Sequence, residues 1–256
     1  MSYYPIQLAA VKGEARIMKV ILQNPTIDIH VIEETTGVNS FWLAAFYGHG
    51  EILSMLAEAG IDIMNRHKKT LNNALHAACD RQYPHIVQQL VDSGYPLNEK
   101  KSGGLTALVS SCVDDNEKIS KILIKGKANL NIVTDKGSSA LSEAVVKNNK
   151  KLTWLLLTQG AHMIYKDPKI IHLSPFYKAI DNDSIWAVEL FADHGADQSA
   201  IGSVSSQNPL IYAAFNGMDD MCMYLSLRAS NVDIEDNEGN NIFNMYLKKE
   251  DKLRCM

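Results

Sequence analysis

The sequence predicts an all-α fold made of about eight consecutive helix-turn-helix units. Three periodic features predict it. Large apolar residues recur every 33–35 positions, at Ile6, Phe41, Leu75, Leu108, Leu141, Phe176, Leu210 and Phe243. A small residue follows three positions later, at Ala9, Ala44, Ala78, Ser111, Ala144, Ala179 and Ala213; the eighth copy has Tyr246 instead. A residue able to cap a helix precedes seven of the eight apolar positions by two, at Asn39, Asn73, Thr106, Ser139, Ser174, Asn208 and Asn241. A period of this length marks a stacked array, in which each unit completes its core on its neighbours.

Within a unit, the first helix begins at the cap, whose side-chain oxygen accepts a free backbone N–H. Pro175 and Pro209 follow directly, where proline forfeits no hydrogen bond; the first copy departs with Tyr4-Pro5. The second helix carries Ile17, Ile52, Ile86, Ile119, Leu152, Ala187 and Met221. Four residues further on stand Ile21, Leu56, Leu90, Leu123, Leu156, Phe191 and Leu225. Spacings of three and four lie on one helical face. Gly60, Gly94, Gly160 and Gly195 close their units, while Pro25, Lys127 and Ala229 stand at that position in three others. A left-handed backbone strains any residue with a Cβ, so the ends at Lys127 and Ala229 are expected to be looser or differently shaped. The units run 1–33, 34–67, 68–100, 101–133, 134–168, 169–202, 203–235 and 236–256, one repeat domain over 1–256 whose last unit is partial.

This register resembles the ankyrin repeat. The pieces that carry the resemblance are Leu75-His76-Ala77-Ala78, Ala44-Ala45-Phe46-Tyr47-Gly48-His49, His194-Gly195-Ala196-Asp197, Thr106-Ala107-Leu108, Ser174-Pro175-Phe176 and Asp236-Asn237-Glu238-Gly239. The motif histidine survives as His76, with Trp42, Val109, Ser142, Tyr177, Ile211 and Asn244 elsewhere. The resemblance implies an ankyrin-repeat solenoid with projecting β-hairpin-like loops. It also implies that these loops and the first helices line a concave surface that binds other proteins.

Composition narrows the function. Of 256 residues 46% are hydrophobic and 21% charged, enough to bury a core. The net charge of −4 excludes a globally basic nucleic-acid binder. No run of 18 apolar residues is present, so membrane insertion is not expected. The opening residues lack a basic, then apolar, secretory pattern. Cys79, Cys112, Cys222 and Cys255 are too scattered for a disulfide framework or a zinc site, which suits a reducing, cytoplasmic setting.

Catalytic chemistry is not expected. The eight histidines show no His-x-x-x-His spacing, and His49 and His76 read as structural hydrogen-bonders. Gly103-Gly104 is a lone turn pair, and Asp114-Asp115-Asn116-Glu117 lacks the rest of a calcium loop. No cofactor and no metal is expected.

Charge is segregated along the chain. Residues 63–178 hold 17 basic and 9 acidic residues, and residues 179–247 hold 1 basic and 11 acidic. Such a pattern steers an oppositely charged partner, and the acidic end disfavours nucleic acid. The basic middle reads either as a binding surface or as solvated surface. Loop positions Lys69, Lys100 and Lys136 carry part of that charge. Phe46-Tyr47 and Phe215-Asn216 occupy the pair before the turn glycine, a pair that faces the concave side in the family; Arg81 and Lys147 fall at equivalent positions. Aromatic and arginine side chains dominate protein interfaces. The expected contact residues are therefore Phe46, Tyr47, Lys69, Arg81, Lys100, Lys136, Lys147 and Phe215. Trp42 is expected between units, with Trp154 and Trp186 on or near second helices.

The function expected is a non-catalytic adaptor or scaffold for a protein partner. Two others stand beside it: a regulatory module of a larger enzyme or channel, and a fixed piece of a large assembly such as a cytoskeletal one.

Overall fold

The computed structural model describes residues 3–167, 170–196, 208–228, 235, 239 and 241–244. They contain fourteen α-helices and no strand. The chain divides into two compact units, Met1–Lys136 and Gly137–Met256.

The first unit holds four helix pairs: α1 (Pro5–Lys12) with α2 (Ala15–Leu22), α3 (Ser40–Tyr47) with α4 (Gly50–Glu58), α5 (Ala74–Asp80) with α6 (Pro84–Asp92), and α7 (Ala107–Val113) with α8 (Glu117–Lys125). The odd-numbered helices pack on one another in order, and so do the even-numbered ones. The second unit holds α9 (Ala140–Val146) with α10 (Lys150–Thr158), α11 (Pro175–Asp181) with α12 (Ile185–Asp193), and α13 (Pro209–Phe215) with α14 (Asp219–Ser226). There α11 packs between α9 and α13.

The periodic residues explain this order. Seven of the eight large apolar positions, Ile6 through Leu210, are buried, as are all seven small ones. The eighth, Phe243, is 62% exposed, in a helical turn over 242–244. The small residue has a second role: its carbonyl accepts the amide that opens the inter-helix turn. His49 N donates to Ala44 O at 2.9 Å, Tyr83 N to Ala78 O at 2.9 Å, and Ser184 N to Ala179 O at 2.8 Å. That turn passes through a left-handed residue in every pair: Gly13, Gly48, Gln82, Asp115, Asn148, Asp183 and Gly217. Glycine fills it three times; aspartate and asparagine, which tolerate the conformation, fill it three times more.

The caps form as the spacing predicts. Asn39, Asn73, Thr106, Ser139 and Asn208 each accept a backbone N–H of the first turn, and Asn241 accepts from Asn244 N at 3.0 Å. Ser174 holds the N-cap position of α11, but its side chain does not cap the helix. Second helices add caps of their own at Asn116 and Asn149.

Two expectations are corrected. Ile17 is 51% exposed, while Met18, like Leu53 and Val87 at the same register position, is buried. Ile52 and Ile86, equivalent to Ile17, are buried, and Ile86 lies against Gly50 of the preceding pair. Lys127 is left-handed (φ 68°), yet its helix end is shaped like the glycine ends. Ala128 N reaches Leu123 O at 3.0 Å, as Tyr95 N reaches Leu90 O and Ala161 N reaches Leu156 O. The strain is borne rather than avoided. The loops between pairs are the hairpin-like turns expected, with no strand among the described residues. Glu33 N bonds Val38 O at 2.8 Å, His67 N bonds Asn72 O at 2.9 Å, and Lys101 N bonds Leu105 O at 2.8 Å. Ala229 lies outside the described residues.

Two substitutions test this packing. Lys127→Gly relieves the left-handed strain and raises stability by about 1 kcal/mol. Ala144→Leu, at a position with no exposed surface, overpacks the α9 stack and lowers stability by roughly 1–3 kcal/mol. Urea midpoints read both.

Candidate protein-interaction surface

The loop turns of the first unit bond to one another. Lys68 N donates to Thr36 O at 2.7 Å, Ser102 N to Thr70 O at 2.9 Å, and Asp135 N to Gly103 O at 3.1 Å. Side chains strengthen the row: Lys68 Nζ donates to Glu34 O and Lys100 Nζ to Val133 O, each at 3.0 Å, and Ser102 Oγ donates to Lys69 O at 3.2 Å. Glu33 anchors the first turn, accepting from Thr36 N, Thr36 Oγ1 and Thr35 N. These donors, the Thr36 hydroxyl foremost, hold its carboxyl down at about 2.

First helices meet this row of turns through equivalent side chains. Trp42 Nε1 donates to Asn72 O at 3.0 Å. In the next repeat, His76 Nε2 lies 3.2 Å from Leu105 O, and Nδ1 lies 2.7 Å from the Asn73 cap oxygen. Burial, aided by Lys101, pushes the His76 imidazole down to about 4, against the pull of Leu105 O and Asp80. His49 and His85 tie neighbouring repeats through Val11 O and Gly48 O, both at 3.1 Å. The histidines at motif positions are thus structural contacts. Burial likewise pushes the Cys79 thiol far up, away from the thiolate a nucleophile needs.

Three expected contact residues come together on this surface. The Phe46 ring stacks on Trp42 at 4.9 Å and meets Tyr47 edge-on at 5.1 Å. The Arg81 guanidinium lies 5.0 Å from the Phe46 centroid, a cation–π contact. Trp42 also touches His67 of the adjoining turn at 6.0 Å. Trp42 is buried between repeats, Phe46 and Tyr47 are half-buried, and Arg81 is exposed. Beside them Asp80 joins Lys101 at 2.7 Å and accepts from Asn72 Nδ2. Lys69 and Lys100 are exposed in the turns flanking this cluster, and Lys136 is exposed at the end of the row. The Asn72–Asp80–Lys101 link was not legible in the sequence, since residues 21 apart in different repeats carry no shared spacing signal.

In the second unit the expected residues stand apart. Lys147 caps the C-terminus of α9, and Phe215, at the end of α13, is 67% exposed. Between them on α11, Tyr177 meets Tyr212 edge-on at 5.3 Å, and Tyr212 OH donates to Asp181 at 2.5 Å. Trp154 on α10 is 55% exposed, and Trp186 on α12 is half-buried under Lys150 Nζ at 5.4 Å. Among the described residues no group of three His, Cys, Asp or Glu side chains could hold a metal. No described helix is long and apolar enough to cross a membrane.

Helix pairs at a 33–35-residue period, capped in register and joined to interlocked turns, define a helical repeat protein of the kind that binds through its surface. Comparison with known proteins names the family. Residues 75–167 match the family model described as ankyrin repeats, in three copies. The chain is 26% identical over 200 residues to putative ankyrin repeat protein L371 of Acanthamoeba polyphaga mimivirus, covering 76% of this chain and 26% of that protein. It is 29% identical over 167 residues to the ankyrin repeat and KH domain-containing protein mask of Drosophila melanogaster, covering 64% of this chain and 4% of the relative. It is 29% identical over 164 residues to the B-cell lymphoma 3 protein homolog of Mus musculus, covering 62% and 35%. The crystal structure of the ankyrin repeat domain of Bcl-3 superposes with a TM-score of 0.75 at 22% identity, covering 89% of this chain and 99% of that one. Residues 75–167 thus carry ankyrin repeats, and the chain as a whole is similar to ankyrin-repeat proteins in sequence and in fold. It spans about a third or less of the length of these curated relatives.

Acid should weaken the first unit through His76. The imidazole titrates near 6.5 when unfolded and near 4 when folded. Its neutral form is the folded one, so stability is full above 6.5 and falls as pH drops toward 4. By pH 5 the loss is about 2 kcal/mol at ~1.4 kcal/mol per pH unit. Urea titrations at pH 7.5 and pH 5 should therefore show a wild-type loss that His76→Gln lacks. An equal pH response in both would remove His76 as the source.

Proposed function

We propose that the chain is a non-catalytic interaction module, an adaptor or scaffold that holds a protein partner on the surface of its loop turns and first helices. One observation carries the reading. Phe46, Tyr47 and Arg81 gather on that surface with Trp42 packed beneath, and two of the three are only half covered while the third is exposed. Core packing does not require them there: the equivalent positions elsewhere are Val11, Lys12, Val113 and Asp114. Lys69, Lys100 and Lys136 extend the surface along the turns, and Lys147 and Phe215 are its counterparts in the second unit. Cys79, Cys112 and Cys222 are buried thiols outside any disulfide among the described residues, which fits a module working in the reducing cytoplasm. The partner is a protein rather than nucleic acid or membrane.

A second reading is favoured by the lengths of the relatives. The matched stretch makes up 26%, 4% and 35% of their chains, so the same repeats serve inside larger proteins, as a regulatory module would. A permanent place in a large assembly, such as a cytoskeletal one, predicts that the protein sediments with it.

Pull-down from native extract tests the surface. Phe46→Ala/Tyr47→Ala/Arg81→Ala together should strip the specific partners that the wild type recovers. Equal recovery of every partner by the triple variant rejects this placement.

A further inference from the structure

The cluster over the second and third repeats has a charge that its own structure leaves unbalanced. Six cations surround it: Arg66, Lys68 and Lys69 on one turn, Lys100 and Lys101 on the next, and Arg81 at the end of α5. Two are neutralised in ion pairs, Arg66 by Glu99 and Lys101 by Asp80. Lys68 and Lys100 instead donate to the Glu34 and Val133 carbonyls. Those bonds fix the ammonium groups in place without cancelling their charge. Lys69 and Arg81 are exposed and join none of the ion pairs among the described residues. Four of the six cations therefore join no ion pair among the described residues.

Arg81 is the most specific of the four. Its guanidinium carbon sits over the Phe46 ring, which covers one face and restrains the side chain. A stacked guanidinium keeps its five N–H donors in its own plane, at the edge, where they match a carboxylate in a two-bond fork. Half-buried Phe46 and Tyr47 lie next to that fork and offer an aromatic shelf.

On this geometry we propose that the surface over the second and third repeats takes an acidic linear segment of a partner protein, a stretch of Asp and Glu carrying an aromatic side chain. One carboxylate of the segment pairs with Arg81, its neighbours with Lys69, Lys68 and Lys100, and its ring lies against Tyr47 and the uncovered edge of Phe46. A peptide suits this row better than a nucleic-acid strand. Glu34 on the preceding turn and Asp135 on the following one are exposed and join no ion pair among the described residues, and a backbone charged at every residue meets both as repulsions, whereas a peptide spaces its charges between them. The inference rests on the proposed interaction module and names the chemistry of its partner.

Fluorescence anisotropy of the full chain tests it with three labelled probes: a glutamate–tyrosine copolymer, a lysine–tyrosine copolymer and an oligothymidylate. Binding of the glutamate–tyrosine probe alone, weakening with added salt, is expected. Arg81→Glu and Lys69→Glu should each lower its affinity about tenfold, and Arg81→Lys by less, because lysine cannot form the fork. Lys118→Glu, on the exposed side of α8, should leave it unchanged. Circular dichroism confirms that each variant folds, and Arg81→Gln serves where Arg81→Glu does not. Equal binding of the lysine copolymer or of oligothymidylate, or indifference to Arg81 and Lys69, overturns the proposal. Should a native partner be captured through Phe46 and Tyr47 while the glutamate–tyrosine probe is ignored, the acidic occupant is rejected and the interaction module stands.

Discussion

A pair of helices of seven to nine residues cannot hide both its apolar faces, and everything else in this protein follows from that. Isolated helices of such length are marginal in water. Their stability has to come from burial at roughly 1.5–3 kcal/mol for each large apolar side chain. In the first unit that burial is supplied by the neighbouring pair. Ile86 shows the contact made, against Gly50 of the pair before it; Ile17 shows the same position without one, half exposed. The fully covered alanines at 44, 78, 144, 179 and 213 belong to the same constraint, because a larger side chain there would hold the first helices apart.

Close stacking brings the loop turns into register. Once α3 lies against α5 and α5 against α7, the turns that precede these helices run side by side near enough to bond through their backbones. The row of turns is therefore rigid without being a sheet. A surface fixed before a partner arrives loses less conformational entropy on binding. Lysines tied by their own ammonium groups to neighbouring carbonyls, as Lys68 and Lys100 are, carry this preorganisation into the charges themselves.

What was legible in the sequence follows the same division. Features that repeat with the period could be read: the caps, the buried apolar and small positions, the two helices of each unit. Their signal comes from many copies of one local rule. Departures peculiar to one repeat were harder. The exposure of Ile17 depends on which side of a pair is covered, and Lys127 shows that tertiary packing can impose a left-handed residue where composition argues against it. Each loop closes on itself with two backbone bonds, as Glu33 N to Val38 O and Gly37 N to Glu33 O, before bonding sideways. Of the contact residues, Phe46, Tyr47 and Arg81 were found by register and meet in space. Lys147 and Phe215 were found by the same rule and stand two repeats apart, because register assigns a face to a residue and not a neighbour.

The cluster itself arises from a change at a structural position. Trp42 and His76 are equivalent, and so are the carbonyls of Asn72 and Leu105 that they reach, at 3.0 and 3.2 Å. Both side chains serve the stacking in the same way. Each joins a first helix to the turn of the next repeat by a ring N–H, since a carbonyl can only accept. The indole keeps that donor but adds a broad apolar face, and Phe46, one helical turn later, stacks on it. Phe46 in turn supplies the ring over which Arg81 is held. In the following repeat the smaller imidazole leaves no such platform, and the residue one turn on from His76 is the charged Asp80, spent on Lys101 and Asn72. Replacing histidine by tryptophan at one place thus preserves the fold and creates an aromatic shelf beside an oriented guanidinium. The aromatic platform is built on a side chain whose structural bond, Trp42 Nε1 to Asn72 O, is kept.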